Sequence, residues 1–153
     1  MEMIPQLRRA SRARLQTHMT RTRVVVAEDL PPVLTMVVAL LHESFDIIGA
    51  VSDGRAALET TLKLEPDLVV LDISMPLMSG IEVAQELKKL GNKAKIVFLT
   101  VHEDNDILKT CQSAGGLGYV IKLLMDTDLV PAINEALAGN RFTSDFPSQQ
   151  DVI

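Results

Sequence analysis

Four short apolar runs in this chain are each followed directly by a residue able to do chemistry. Glu28 and Asp29 come after the run 23–27, Asp72 after 67–71, Thr100 after 95–99 and Lys122 after 118–121. Carboxylates gathered closely repel, so they either raise a pKa or recruit a cation. A small set of oxygen ligands favours a hard divalent ion, and Mg²⁺ keeps several waters while taking one or two carboxylates. A lysine supplies a compact positive charge to phosphoryl oxygens, and a threonine hydroxyl can give them one hydrogen bond. Together these groups describe a site that accepts a phosphoryl group on a carboxylate. Taken singly, each has a plainer reading: Asp29 and Asp72 as helix caps or turn residues, Thr100 as a turn hydroxyl, Lys122 as a solvated side chain. Their joint placement, each after a different run, favours the chemical reading.

The runs must be strands for this placement to mean anything. They are short, β-branched and bounded by turn residues, which fits strands buried on both faces. A further run, Asp46 to Val51, is closed by Ser52, Asp53 and Gly54. Helical patterns fall between the runs. The first starts at Pro31 and Pro32, where a missing N–H costs nothing, and reaches about Glu43. The second buries Ala56, Ala57, Leu58 and Leu62 and stops before Pro66. The third spans Ile81 to Leu90 with Gly91 as its stop. The fourth runs from Glu103 to Ala114, with Asn105 or a neighbour starting it, and breaks at Gly115 and Gly116. The last spans Asp126 to Ala138 and is closed by Gly139 and Asn140, and residues 141–153 read as a tail or linker. Strands alternating with helices give right-handed crossovers and a parallel sheet. In a doubly wound sheet, ligands bind beyond the carboxyl ends of the strands where strand order reverses. If the order is 2-1-3-4-5, Asp29 and Asp72 face each other across that crevice.

Composition agrees with one α/β domain. The chain has 153 residues and is 47% apolar, with no Trp, one Tyr and four Phe, an aliphatic core suited to a sheet covered by helices. Cys111 is alone, so no intramolecular disulfide forms and a reducing cytoplasm is expected. No stretch approaches the roughly 18 apolar residues of a membrane span, and the basic N-terminus lacks the apolar core of a secretory signal. The net charge of −5 is uneven: residues 1–23 carry +5 and the remainder −10. An acidic body is a poor partner for nucleic acid or anionic lipid. Residues 1–21 are expected to be a disordered or non-native basic leader, with Met19 a candidate natural start.

The run Asp72-Ile73-Ser74-Met75-Pro76-Leu77-Met78-Ser79-Gly80, flanked by Glu28, Asp29, Thr100 and the segment Gly118 to Lys122, resembles the receiver domain of two-component response regulators over residues 22–140. The resemblance implies a flavodoxin-like, doubly wound sheet of five parallel strands in the order 2-1-3-4-5. It implies that Asp72 takes phosphate from a histidine kinase or phosphotransfer protein, with Mg²⁺ as cofactor. Asp29 and Asp72 would ligate the metal directly, Glu28 through water and Ser74 through its backbone carbonyl. Thr100 and Tyr119 would form the switch pair, and Lys122 the ion pair to the phosphoryl group. Leu123 stands where the family often has proline, and this departure resembles the NarL/LuxR-type subgroup, as does the segment after the last helix. The glycines at 115, 116 and 118 suggest a loose approach to the fifth strand. His102 is expected to shield the acyl phosphate partly from water.

Three functions compete at this level. The first is a receiver that forms the N-terminal part of a transcription regulator, reading DNA only through an output domain absent from this chain. The second is a stand-alone receiver acting by protein contacts or phosphate relay. A homodimer is compatible with either. The third is a Mg²⁺-dependent phosphatase, which wants an acid two residues beyond its nucleophile, where Ser74 stands. The chain is therefore expected to be a phosphoacceptor and not a dedicated enzyme.

Overall fold

Valine and isoleucine branch at Cβ and pack well on a pleated surface. In the computed structural model, which describes residues 21–145, every run rich in them is a strand. The strands are β1 (Arg23–Ala27), β2 (Asp46–Val51), β3 (Leu68–Asp72), β4 (Lys95–Thr100) and β5 (Gly116–Ile121). Between and after them come α1 (Pro31–Leu41), α2 (Gly54–Leu64), α3 (Gly80–Lys89), α4 (Asn105–Ser113) and α5 (Met125–Leu137). A single 3-10 turn, Lys122–Leu124, leads from β5 into α5.

All pairings are parallel, in the order β2-β1-β3-β4-β5, and a short β6 (Phe142–Thr143) adds a sixth strand beside β5. The expected doubly wound sheet is therefore present with one more strand than foreseen. Two residues are too few to carry a period, which is why the pattern after Asn140 read as tail. Residues 146–153 of that tail, and residues 1–20 of the expected leader with Met19, lie outside the described residues. Arg21 is engaged with the fold, donating to the carbonyls of His42 and Phe45 at 2.9 and 3.1 Å.

Successive side chains on a strand point to opposite faces, and here both faces are buried. Val24, Val26, Leu68 and Val70 meet α1 and α5, whereas Val25, Val69, Leu71 and Phe98 meet α2, α3 and α4. Burying one such side chain contributes about 1.5–3 kcal/mol, so the two layers fix the sheet and hence the positions of its ends.

The glycines before β5 do the reverse of what their number suggests. A Cβ at Gly116 would lie 2.5 Å from the Phe98 ring, and one at Gly118 would lie 2.9 Å from Val97. Both residues are inside the strand, and their missing side chains let β5 close on the bulky residues of β4. Gly115 alone of this group needs a positive φ, at 100°.

Candidate functional site

The carboxyl ends of β1, β3, β4 and β5 bring Glu28, Asp29, Asp72, Thr100 and Lys122 together. A carboxylate oxygen from each of Glu28, Asp29 and Asp72 lies within 4.8 Å of the others. Lys122 Nζ stands 2.7 Å from Glu28 Oε1 and 3.4 Å from Asp72 Oδ1. Glu28 is wholly buried and Asp72 is 4% exposed. One ammonium thus faces three acids.

The capping explanation for the two aspartates does not hold in this fold. The N-cap of α1 is Leu30, with no side-chain cap, and the Leu30 amide instead donates to Glu28 Oε2 at 3.1 Å. Asp72 is seven residues short of the α3 cap, Ser79, which forms a capping box with Glu82. The helix starts near the site are satisfied by other groups, which leaves Asp29 and Asp72 to each other.

That leaves a strained charge balance. Burial first, then the neighbouring Asp29 and Glu28, push the Asp72 carboxyl up to about 7, against the pull of Lys122. Burial also opposes ionisation of Asp29, but hydrogen bonding with Asp72 and Glu28, with help from Lys122, brings it below its ordinary value. A pair split in this way has one acid poised to give up its proton when a cation arrives.

Glycines position the loop that follows Asp72. The Gly80 amide donates to the Ile73 carbonyl at 2.8 Å, and the Gly54 amide to the Pro76 carbonyl at 3.1 Å. A Cβ at Gly80 would run into the Asp72 carbonyl, and one at Gly54 into the Met78 carbonyl. Both approaches admit only glycine. Leu77, at the tip, takes a left-handed φ of 70° and stays largely exposed, as does the Ser74 side chain. In the sequence Gly80 stands out only as part of a motif, and Gly54 only as one of the residues that close the run before it. Both are punctuation residues at a loop–helix boundary, and that was the available signal.

Thr100 and Tyr119 meet through one residue. Thr100 Oγ1 accepts from the His102 amide at 3.0 Å, and the Tyr119 hydroxyl donates to the His102 carbonyl at 2.7 Å. The Thr100 hydroxyl also has a proton of its own to give, and the Tyr119 phenol lies within its hydrogen-bonding reach. Tyr119 is buried, which pushes its phenol up to about 12. The backbone of His102 thus joins the two, while its side chain stays half-buried.

Comparisons with known proteins place the chain in a family. The family model described as the response regulator receiver domain matches residues 24–134. The transcriptional regulatory protein YvfU of Bacillus subtilis is 37% identical over 124 residues, covering 80% of this chain and 62% of that protein. The nitrate/nitrite response regulator protein NarL of Escherichia coli is 31% identical over 124 residues, covering 80% and 57%. The signal receiver domain of NarL from Mycobacterium tuberculosis superposes with a TM-score of 0.75 at 30% identity, covering 78% of this chain and 98% of that one. The chain spans about three fifths of the length of the curated relatives it matches.

Proposed function

The chain belongs to the response regulator receiver family, and from that premise we propose that Asp72 is its phosphoacceptor, fed by a phosphohistidine partner. The observation that carries this reading is the triad of buried Glu28 and Asp72 with half-buried Asp29, and Lys122 at 2.7 Å from Glu28 and 3.4 Å from Asp72. An Asp72 carboxylate oxygen attacks phosphorus, a P–O bond forms, and the P–N bond to the donor imidazole breaks, with its electron pair returning to the ring. The receiver is a phosphoacceptor that serves a signalling partner, not a dedicated enzyme.

The donor set fits Mg²⁺. All three groups are carboxylates, they converge within one ion's reach, and two of them, Glu28 and Asp72, are buried. Asp29 and Asp72 would hold the ion directly, Glu28 through water and Ser74 through its carbonyl. When bound, the ion supplies charge neutralisation for the phosphoryl oxygens. Lys122 leaves Asp72 for the new dianion, and Thr100 turns its hydroxyl proton toward it. Tyr119, tied to His102, carries that movement to the surface of α4, β5 and α5. His102 shields the acyl phosphate.

The domain division follows the same reading: a receiver over residues 22–140, completed at its edge by β6 (Phe142–Thr143), with a leader before it and a tail or linker after it. YvfU is named as a transcriptional regulatory protein, and the part of such a relative that this chain does not span would hold the DNA-reading output. Among the described residues no helix is long and apolar enough to cross a membrane. The lone, buried Cys111 suits action in the cytoplasm.

The test is incubation with Mg²⁺ and acetyl phosphate, read by phosphoprotein mass, for the unaltered chain and Asp72→Asn. One phosphate on the former and none on the latter is expected. Equal labelling of both moves the acceptor elsewhere.

A further inference from the structure

Ser144 is a small polar residue in a stretch without periodicity, yet it is 2% exposed. Its amide donates to the Tyr119 carbonyl at 2.8 Å. Its Oγ accepts from the Ile121 amide at 3.0 Å and donates to Asp128 Oδ2 at 2.7 Å. A serine hydroxyl has one proton, so the direction of this chain is fixed: amide to hydroxyl to carboxylate. The last link is short and charge-assisted, the stronger kind of hydrogen bond. The other Asp128 oxygen accepts from Thr127 Oγ1 at 3.1 Å.

These bonds close on three elements at once: the end of β5, the start of α5 and the strand β6. Between the first two lies Lys122. Ile121 immediately precedes it, and its 3-10 turn runs straight into Met125. Pro131 lies inside α5 and has no N–H, so the Thr127 carbonyl lacks the usual amide from four residues on. The helical ladder is thinned beside Asp128, and the contact with Ser144 anchors that turn instead.

Resting on the reading of Asp72 as phosphoacceptor, we propose that Ser144 and Asp128 are positioning residues for Lys122. Through them the phosphoryl state of Asp72 is coupled to the docking of β6 and Ser144 along β5. Neither residue touches the reacting atoms; they hold the backbone from which the Lys122 ammonium reaches Glu28 and Asp72. A new dianion draws that ammonium toward itself, and the clamp decides whether the peptide at 121 and 122 keeps its place. Coupling of this kind is reciprocal. If the clamp favours phosphoryl-like ligands, those ligands tighten the clamp by the same factor.

The experiment uses the full 153-residue chain with Mg²⁺ and beryllofluoride, titrated calorimetrically. Ser144→Ala is expected to bind beryllofluoride about fivefold more weakly, and Ser144→Thr, which keeps the hydroxyl, to recover most of the loss. In the unaltered chain, hydrogen exchange of the Ile121 amide is expected to slow by a similar factor when beryllofluoride binds. Wild-type affinity in Ser144→Ala, or an Ile121 amide indifferent to beryllofluoride, overturns the coupling while leaving the acceptor site standing. The exchange measurement needs no variant, so it decides even if Ser144→Ala fails to fold. An unaltered chain that takes no beryllofluoride in Mg²⁺ overturns the acceptor reading and the coupling with it.

Discussion

At the amino ends of the strands lies a hollow of about 920 Å³, lined by Thr22, Glu65, Asp67, Asn92 and Lys95 among others. At the carboxyl ends lies the acidic cluster. Both ends hold charged residues, but the charges are treated differently. In the hollow, the Asp67 carboxylate accepts from the Arg23 amide at 2.8 Å, and the Arg23 guanidinium donates to the Glu65 carbonyl, all at exposed positions. At the other end, Glu28 and Asp72 are buried and share one lysine. The end with the hollow is the satisfied one. Chemistry is stored where burial leaves charge unbalanced, and a hollow alone does not mark it.

Removing a charge should separate the two ends most sharply. Lys122→Met deprives buried Glu28 of its counter-ion and should cost about 3–5 kcal/mol in metal-free urea unfolding. Asp67→Ala, at the exposed end, should cost about 1 kcal/mol. Equal losses would break the contrast.

The next effect is on pH. The folded Asp72 carboxyl sits at about 7, above its ordinary 3.8. Its contribution to stability is therefore full below 3.8 and lost as pH rises to about 7, by on the order of a few kcal/mol. Asp29 is shifted down, so its contribution has the opposite sign and is lost only as pH falls below the ordinary carboxylate range. Metal-free Tm should fall as pH rises between about 4 and 7, and Mg²⁺ should restore it most fully above that window. A metal-free Tm that climbs through the window would remove the strained balance from the site.

Glycines give a third comparison. Gly80→Ala pushes a methyl into the Asp72 carbonyl and should cost about 1–3 kcal/mol while weakening Mg²⁺ binding. Gly91→Ala, at the far end with open space but φ of 70°, should cost about 1 kcal/mol and leave Mg²⁺ affinity alone. Calorimetric Mg²⁺ titration of both variants tells a loop that shapes the site from one that only ends a helix. The smallest effect is expected away from both ends. Thr61 Oγ1 is buried without a hydrogen-bond partner, so Thr61→Val should be neutral or stabilising by about 1 kcal/mol in Tm-based measurement.

The reading of residues as strands and helices was legible because the two periods differ and because both faces of the sheet are apolar. The reading erred where glycine was concerned. At 116 and 118 it signals close packing against Phe98 and Val97, and sequence alone does not distinguish that from a loose loop. It also had no access to Ser144 and Asp128, which are ordinary polar residues until the chain folds back along β5.

Asp29, Asp72, Thr100 and Lys122 could be singled out from sequence because each follows an apolar run, and the sheet must deliver the ends of its strands to one side. Only the tertiary structure decided that Asp29 and Asp72 do not cap helices, that Glu28 is buried against Lys122, and that Tyr119 and Thr100 share the backbone of His102. Those outcomes depend on which strands are neighbours and on how far each side chain is withdrawn from water. Neither quantity is local in the chain. A residue's type and spacing fix what chemistry it can offer, but its desolvation and its partners arise from contacts between segments far apart in sequence.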